Sequence, residues 1–155
     1  MIAVIDYKAG NLTSVVKALR YLGAETQVTQ DPEVVRSAAK VVLPGVGHFQ
    51  ATTLLHELRI TEAAQQSIAR GAWFLGICVG LQWLFEGSTE APGIAGLGHF
   101  QGMCEPVVKN ITSVGGYDLG HFGESRESAG ILNPVPVRLS RCAVVRSLFR
   151  VKSES

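Results

Sequence analysis

Along the first ninety residues, short apolar runs alternate with stretches of helical period. Ile2-Ala3-Val4-Ile5 is apolar on both faces, as a central strand of a parallel sheet is. Leu12, Val15, Val16, Leu19 and Leu22 then recur at helical spacing, with Asn11 as N-cap and Gly23 as the closing residue. Residues 25–29 alternate polar and apolar and read as a second strand. Asp31-Pro32 opens a short helix with proline at its first position. Val41-Val42-Leu43 is a third strand, and two helical segments follow at 49–58 and 61–70, separated near Arg59-Ile60. Trp73-Phe74-Leu75, bounded by Gly71 and Gly76, reads as a buried fourth strand. A helix over 79–86 carries Val79, Leu81, Leu84 and Phe85 on its packed side. This alternation predicts an α/β fold with a parallel central sheet and helices on both faces. Ligands in such folds sit beyond the carboxyl ends of the strands. The loops at 6–11, 44–47 and 76–80 all fall there.

After Glu90 the pattern weakens. Ala91-Pro92-Gly93 begins a glycine-rich passage through Gly96, Gly98 and Gly102. Val107-Val108 and Val135-Pro136-Val137 are candidate strands, the second demoted by its proline. Residues 112–130 sustain neither period. Residues 142–151 mix arginine with apolar residues and read as a helix or an irregular tail. The charge changes at the same point, from −2 over residues 1–105 to +3 over residues 106–155. The domain reading is therefore a core at 1–105 and a divergent segment at 106–155.

With 155 residues, 46% hydrophobic and 17% charged, the chain suits one domain with a full core. A net charge of +1 gives no electrostatic case for nucleic acid or a membrane surface. No apolar run reaches the length of a membrane span, and the first six residues lack the basic start of a signal peptide. Cys78, Cys104 and Cys142 are odd in number and widely spaced, which fits neither a disulfide framework nor a zinc site and points to a reducing cytoplasm. No metal and no cofactor is expected.

The chemistry centres on Gly76-Ile77-Cys78-Val79-Gly80. A strand turning at once into a helix leaves little room, and flanking glycines let neighbouring backbone approach. The side chain between them then stands exposed at the strand's carboxyl end. This is the logic of a nucleophile elbow with sulfur in place of oxygen. A helix start also favours a thiolate. The same five residues equally suit a small buried cysteine in a glycine-rich turn, and the wider context decides.

Ile5-Asp6-Tyr7-Lys8-Ala9-Gly10-Asn11, Leu43-Pro44-Gly45-Val46-Gly47-His48-Phe49 and Gly76-Ile77-Cys78-Val79-Gly80-Leu81-Gln82 occur in this order. Together they closely resemble the glutaminase subunit of imidazole glycerol phosphate synthase, a flavodoxin-like class I glutamine amidotransferase of histidine biosynthesis. The resemblance covers residues 1 to about 105. It implies hydrolysis of glutamine to glutamate and ammonia, and passage of the ammonia to a cyclase partner, a (β/α)8 barrel, in a heterodimer. It further implies Cys78 as the nucleophile that forms a glutamyl thioester. The oxyanion would be held by the N–H of Val79 and by the loop carrying Gly45, Val46 and Gly47. Those glycines would supply permissive dihedrals. Gln82 and Glu90 match positions that hold the substrate's polar ends, with Glu90 as partner of the α-ammonium group. Asp6 reads as a loop cap.

One departure matters most. The family completes its triad with a His-x-Glu pair, and no His-x-Glu occurs among these 155 residues. His48 stands at a variable position of its motif, His56 reads as structural, His99 follows a glycine-rich turn, and His121-Phe122-Gly123-Glu124 has one spacer too many. Lys8 stands where the family commonly has glycine, so either the loop shifts or lysine accepts a positive φ. Val114-Gly115-Gly116-Tyr117-Asp118 and Ile131-Leu132-Asn133-Pro134 resemble later family segments only faintly. The expectation is an incomplete C-terminal part with bare sheet edges. Residues from about 106 onward would come from a shifted reading frame or a decayed or truncated gene, or else form a natural shorter variant. Three functions stay open: a working glutaminase subunit, a non-catalytic relic that only docks on the cyclase, and a cysteine-elbow hydrolase or thiol-redox protein of the same fold.

Overall fold

The computed structural model describes residues 1–106 and the strand residues 113–114, 117–118, 142–145 and 149–152. Five parallel strands form the central sheet in the order β2-β1-β3-β4-β9: β1 (Ile2–Ile5), β2 (Thr26–Thr29), β3 (Lys40–Gly45), β4 (Trp73–Cys78) and β9 (Cys142–Val145). The order reverses between β1 and β3, which is the switch point of the flavodoxin-like fold, and ligands of such folds lie there. The three conspicuous loops leave the carboxyl ends of β1, β3 and β4 around that point.

Local sequence explains the connecting helices. Helix α1 (Leu12–Tyr21) starts at Asn11, whose side chain accepts from the Ser14 N–H at 3.2 Å. It ends at Gly23, φ +77, where Gly23 and Ala24 donate to Arg20 and Leu19 in a Schellman arrangement. None of its residues is fully buried, and Leu22, expected on the packed stripe, is 78% exposed at the cap. In α2 (Pro32–Ser37), Asp31 caps the Glu33 N–H at 2.8 Å. A 3₁₀ turn at Phe49–Thr52 leads into α3 (Thr53–Glu57). Arg59, at φ 56, breaks the path before α4 (Ile60–Ala69), as expected near Arg59-Ile60.

The core lies between sheet and helices. Ile5, Leu43, Phe74 and Trp83 are sealed from solvent together with Leu55 and Ile60 of the helical layer. Phe74 and Trp83 rings lie 6.4 Å apart in a tilted pair. Trp73, expected in a buried run, is 55% exposed at the start of β4.

Three readings are corrected. Helix α5 spans only Val79–Gln82, not 79–86. The carbonyls of Trp83, Leu84, Phe85 and Glu86 accept instead from the N–H groups of residues 96–100, so the glycine-rich passage takes the bonds that would have continued the helix. Gly96 fits only because it lacks a side chain; a Cβ there would meet the Phe85 oxygen at 2.0 Å. Residues 142–151, read as helix or irregular tail, hold β9 and most of β10 (Phe149–Lys152). The edge of β4, expected bare, carries β9 in parallel register from Phe74↔Cys142 to Ile77↔Val145.

Strands β5 (Gly87–Ser88), β6 (Met103–Pro106) and β10 form a small second sheet, and β7 (Ser113–Val114) pairs with β8 (Tyr117–Asp118). Strands β7 and β8 lie in the stretch that showed no period. Val107-Val108 and Val135-Pro136-Val137 lie outside the described residues. No described helix is long and apolar enough to cross a membrane.

Candidate functional site

Strand β4 runs three residues further than its apolar run, through Gly76 and Ile77 to Cys78. There the backbone turns with φ 56 and ψ −113, and the side chain is exposed. For a residue bearing a Cβ this is a strained conformation, which persists only where the surroundings enforce it. The enforcement is visible. A Cβ on Gly76 would lie 2.4 Å from the Gly80 oxygen, and one on Gly80 would lie 2.0 Å from the Leu43 oxygen. Strand, turn and helix therefore touch backbone to backbone. Because α5 is a single turn, its dipole is small; Val79, the residue after the cysteine, is its first residue.

Beside the elbow, β3 extends through Pro44 to Gly45, which pairs in register with Cys78. Val46 is 52% exposed and Gly47 has φ +87, so the loop leaves the sheet at the level of Cys78. The two glycines serve different ends. Gly47 supplies the left-handed dihedral. At Gly45 the demand is space: a Cβ would lie 2.5 Å from the Tyr7 hydroxyl oxygen, 2.8 Å from the Gly80 nitrogen and 2.9 Å from the Val79 Cβ.

The first loop packs against the second. Gly10, φ +147, has room for a Cβ only at 3.2 Å from the Pro44 oxygen. Asp6 caps its own loop, accepting from the Lys8 N–H at 2.9 Å and from Gln30 Nε2 at 3.1 Å. Lys8 adopts φ 62, so the loop keeps its path and lysine takes the left-handed conformation.

Glu90 is half-buried, and its carboxylate accepts from the Phe49 N–H at 2.9 Å. It is thus tied to the first turn after the residue 44–47 loop. Gln82 is buried at 1% exposure on α5. The three described histidines have other work. His48 Nδ1 accepts from the Gln50 N–H at 3.1 Å, His56 bridges the Thr61 hydroxyl and the Ala95 carbonyl, and His99 stacks edge-on against Phe100. None of them is hydrogen-bonded to Cys78 among the described residues. His121 lies outside them.

Tyr7 carried no role in the sequence reading beyond its place in a motif. Its side chain is entirely buried, and its hydroxyl has no hydrogen-bond partner among the described residues. Burial, and then the charge of Cys78, push its phenol up to about 12. An aromatic residue directly after a central strand, in an otherwise polar loop, was the available signal. Cys104 is buried beneath α5 with Sγ 3.8 Å from the Gln82 carbonyl, and burial pushes its thiol up to about 12.

Among the described residues no three of His, Cys, Asp and Glu come together as ligands for a metal ion. A hollow of about 350 Å³ between α4 and the turn at 97–99, lined by Gln65, Ile68, Leu97 and His99, contains no residue of the three loops. Cys78 is exposed and lies outside that hollow.

The profile of the family described as "Glutamine amidotransferase class-I" matches residues 3–146. "Imidazole glycerol phosphate synthase subunit HisH" of Thermus thermophilus is 50% identical over 95 residues, covering 61% of this chain and 48% of that protein. The protein of the same name from Acaryochloris marina is 46% identical over 124 residues, covering 79% and 56%. The chain spans about half the length of the curated relatives it matches. A solved structure described as "Crystal structure of glutamine amidotransferase" superposes with a TM-score of 0.60 at 20% identity, covering 68% of this chain and 57% of that one. At that identity the likeness concerns the fold.

Proposed function

This chain belongs to the class-I glutamine amidotransferase family, and we propose that it is a glutaminase subunit whose ammonia feeds a cyclase that makes imidazole glycerol phosphate. The carrying observation is Cys78, strained at the end of β4 and in register with Gly45 of the neighbouring loop. In this reading the Cys78 thiolate attacks the carboxamide carbon of glutamine. The Val79 N–H and the loop carrying Gly45, Val46 and Gly47 hold the oxygen that becomes negative. Collapse breaks the C–N bond, ammonia leaves with a proton from an acid, and water then hydrolyses the thioester to glutamate. Glu90 and Gln82 hold the substrate's polar ends. The product passes to a (β/α)8-barrel partner in a heterodimer, in the cytoplasm.

A second reading rests on a specific observation: no His-x-Glu pair occurs among these 155 residues, and the described histidines are engaged elsewhere. The subunit then docks on the cyclase without turning glutamine over. We place the core at residues 1–105 and read residues 106–155 as a divergent segment, arising from a shifted reading frame, from a decayed or truncated gene, or as a natural shorter variant; translating the coding DNA in three frames in search of a His-Pro-Glu segment is the test between these origins. The functional test is labelling by a glutamine-mimicking electrophile together with glutamate release, each with and without the cyclase. Labelling abolished by Cys78→Ser with glutamate release supports the first reading. Docking without glutamate release supports the second. Labelling by peroxide and not by the mimic would return the site to thiol-redox chemistry.

A further inference from the structure

We infer that Tyr7 is a positioning residue for the nucleophile: its hydroxyl donates a hydrogen bond to the Cys78 sulfur once the thiol is deprotonated. The inference rests on Cys78 being the reactive centre, and it does not require that glutamine is turned over. The hydroxyl is fully buried and unpaired among the described residues. A buried hydroxyl without an acceptor is unfavourable, and native proteins rarely tolerate one without a reason.

Its surroundings narrow the reason. The vacant side-chain position of Gly45 lies 2.5 Å from the Tyr7 oxygen, 2.8 Å from the Gly80 nitrogen and 2.9 Å from the Val79 Cβ. The hydroxyl is therefore lodged where the residue 44–47 loop meets the elbow. Of the groups converging there, the Gly80 N–H is a donor and the Val79 methine is apolar, so neither accepts its proton. Cys78 is paired with Gly45 and precedes Val79. Its sulfur accepts no bond from the phenol as the structure stands, and it is the group beside this junction that changes from a weak acceptor to an anion. The charge of Cys78 also acts on the phenol, so the two lie within electrostatic reach. A phenol that stays neutral throughout the working pH range is a donor at every pH at which the thiolate exists. Gly45 follows from the same arrangement, since any side chain there would strike the hydroxyl.

The test uses the full chain, wild type and Tyr7→Phe, with iodoacetamide as the probe. Alkylation of the Cys78 peptide is followed by mass spectrometry from pH 6 to pH 10, which separates it from Cys104 and Cys142. We expect Tyr7→Phe to alkylate Cys78 about five- to tenfold more slowly at pH 7, equivalent to about 1 kcal/mol or slightly more, with the two rates converging at high pH. Superimposable profiles would overturn the assignment and leave Tyr7 a packing residue. If Tyr7→Phe does not fold, 3-fluorotyrosine is incorporated into the wild-type chain. The Tyr7 fluorine signal should move as Cys78 titrates and stay still in Cys78→Ser; a signal that moves alike in both overturns it. Absence of glutamine-mimic labelling in the wild type, with Tyr7→Phe still slowing iodoacetamide, would sink the glutaminase reading alone.

Discussion

Replacing Gly80 by alanine tests whether the elbow is held by backbone contact. The added Cβ would lie 2.0 Å from the Leu43 oxygen, 3.0 Å from its carbonyl carbon and 3.1 Å from its Cγ. The first two are main-chain atoms of β3, so no rotamer change relieves them. An ordinary contact needs about 3.4 Å, and the strand and the α5 turn must separate by more than an ångström. Overpacking of this kind costs about 1–3 kcal/mol, and a clash with backbone in the middle of a sheet belongs at the upper end. For a chain of this length about 3 kcal/mol lowers Tm by roughly 6–12 °C. Urea and thermal unfolding followed by circular dichroism and by Trp83 fluorescence reads the effect. Gly93→Ala is the control, because nothing lies within 4 Å of its Cβ position and its φ is not positive. It should stay within about 0.5 kcal/mol of wild type. Gly80→Ala within that same margin would refute the claim that contact at Gly80 holds Cys78 in its strained conformation.

Three further outcomes are expected. Cys104 titrates at about 12 when folded against an ordinary 9.0, so the unfolded chain loses that proton first and stability falls as pH rises through this window, by up to about 1.4 kcal/mol per pH unit. Tyr7 adds a fall of the same sign above 10.0. Cys104→Ala should therefore flatten the urea-unfolding free energy between about pH 9 and pH 10, and an unchanged slope would contradict the burial argument. Glu90→Ala removes the acceptor of the Phe49 N–H and should cost about 1–2 kcal/mol, whereas Glu90→Gln keeps a carbonyl oxygen and should cost less than half as much. Equal losses in chemical denaturation would show that the charge matters more than the hydrogen bond. His56→Ala severs the link between Thr61 and the Ala95 carbonyl and should cost about 1–2 kcal/mol while leaving the Cys78 alkylation rate unchanged.

What the sequence revealed was local in origin. The first strand, the Asn11 and Asp31 caps, the Gly23 stop and the break at Arg59 all depend on neighbours a few residues away, and each is found where the pattern placed it. The placement of three loops at one end of a parallel sheet follows from alternation alone. The misses are non-local. Nothing in residues 79–86 says that their carbonyls will be captured by residues 96–100, so the helix looked twice its length. Strands β3 and β4 run on through Pro44-Gly45 and Gly76-Ile77-Cys78 because they pair with each other, against the local preference of proline and glycine. Gly45 looked like a dihedral requirement and is a packing requirement, visible only once Tyr7 is placed beside it.

The proposed reaction has two steps that draw on different groups. The strained cysteine, the Val79 N–H and the residue 44–47 loop all come from the first eighty residues, where the contacts that enforce them are found. In the proposed function these are the groups that form the bond from sulfur to carbon. Expelling ammonia requires in addition a positioned acid, and no described histidine is hydrogen-bonded to Cys78. A glutamine analogue with a halide leaving group needs no proton to complete its reaction, whereas glutamine does. Capture of about one equivalent of a chloroketone glutamine mimic at Cys78 is therefore expected without that acid, whereas glutamate release from glutamine calls on an acid that the described residues do not place beside Cys78. Glutamate release at a family-like rate would mean that the acid is supplied from residues 107–155 or by the cyclase. Repeating the assay with the cyclase present would then distinguish those sources. Failure of both capture and turnover would instead locate the defect in the elbow itself, against the geometry of β3, β4 and α5.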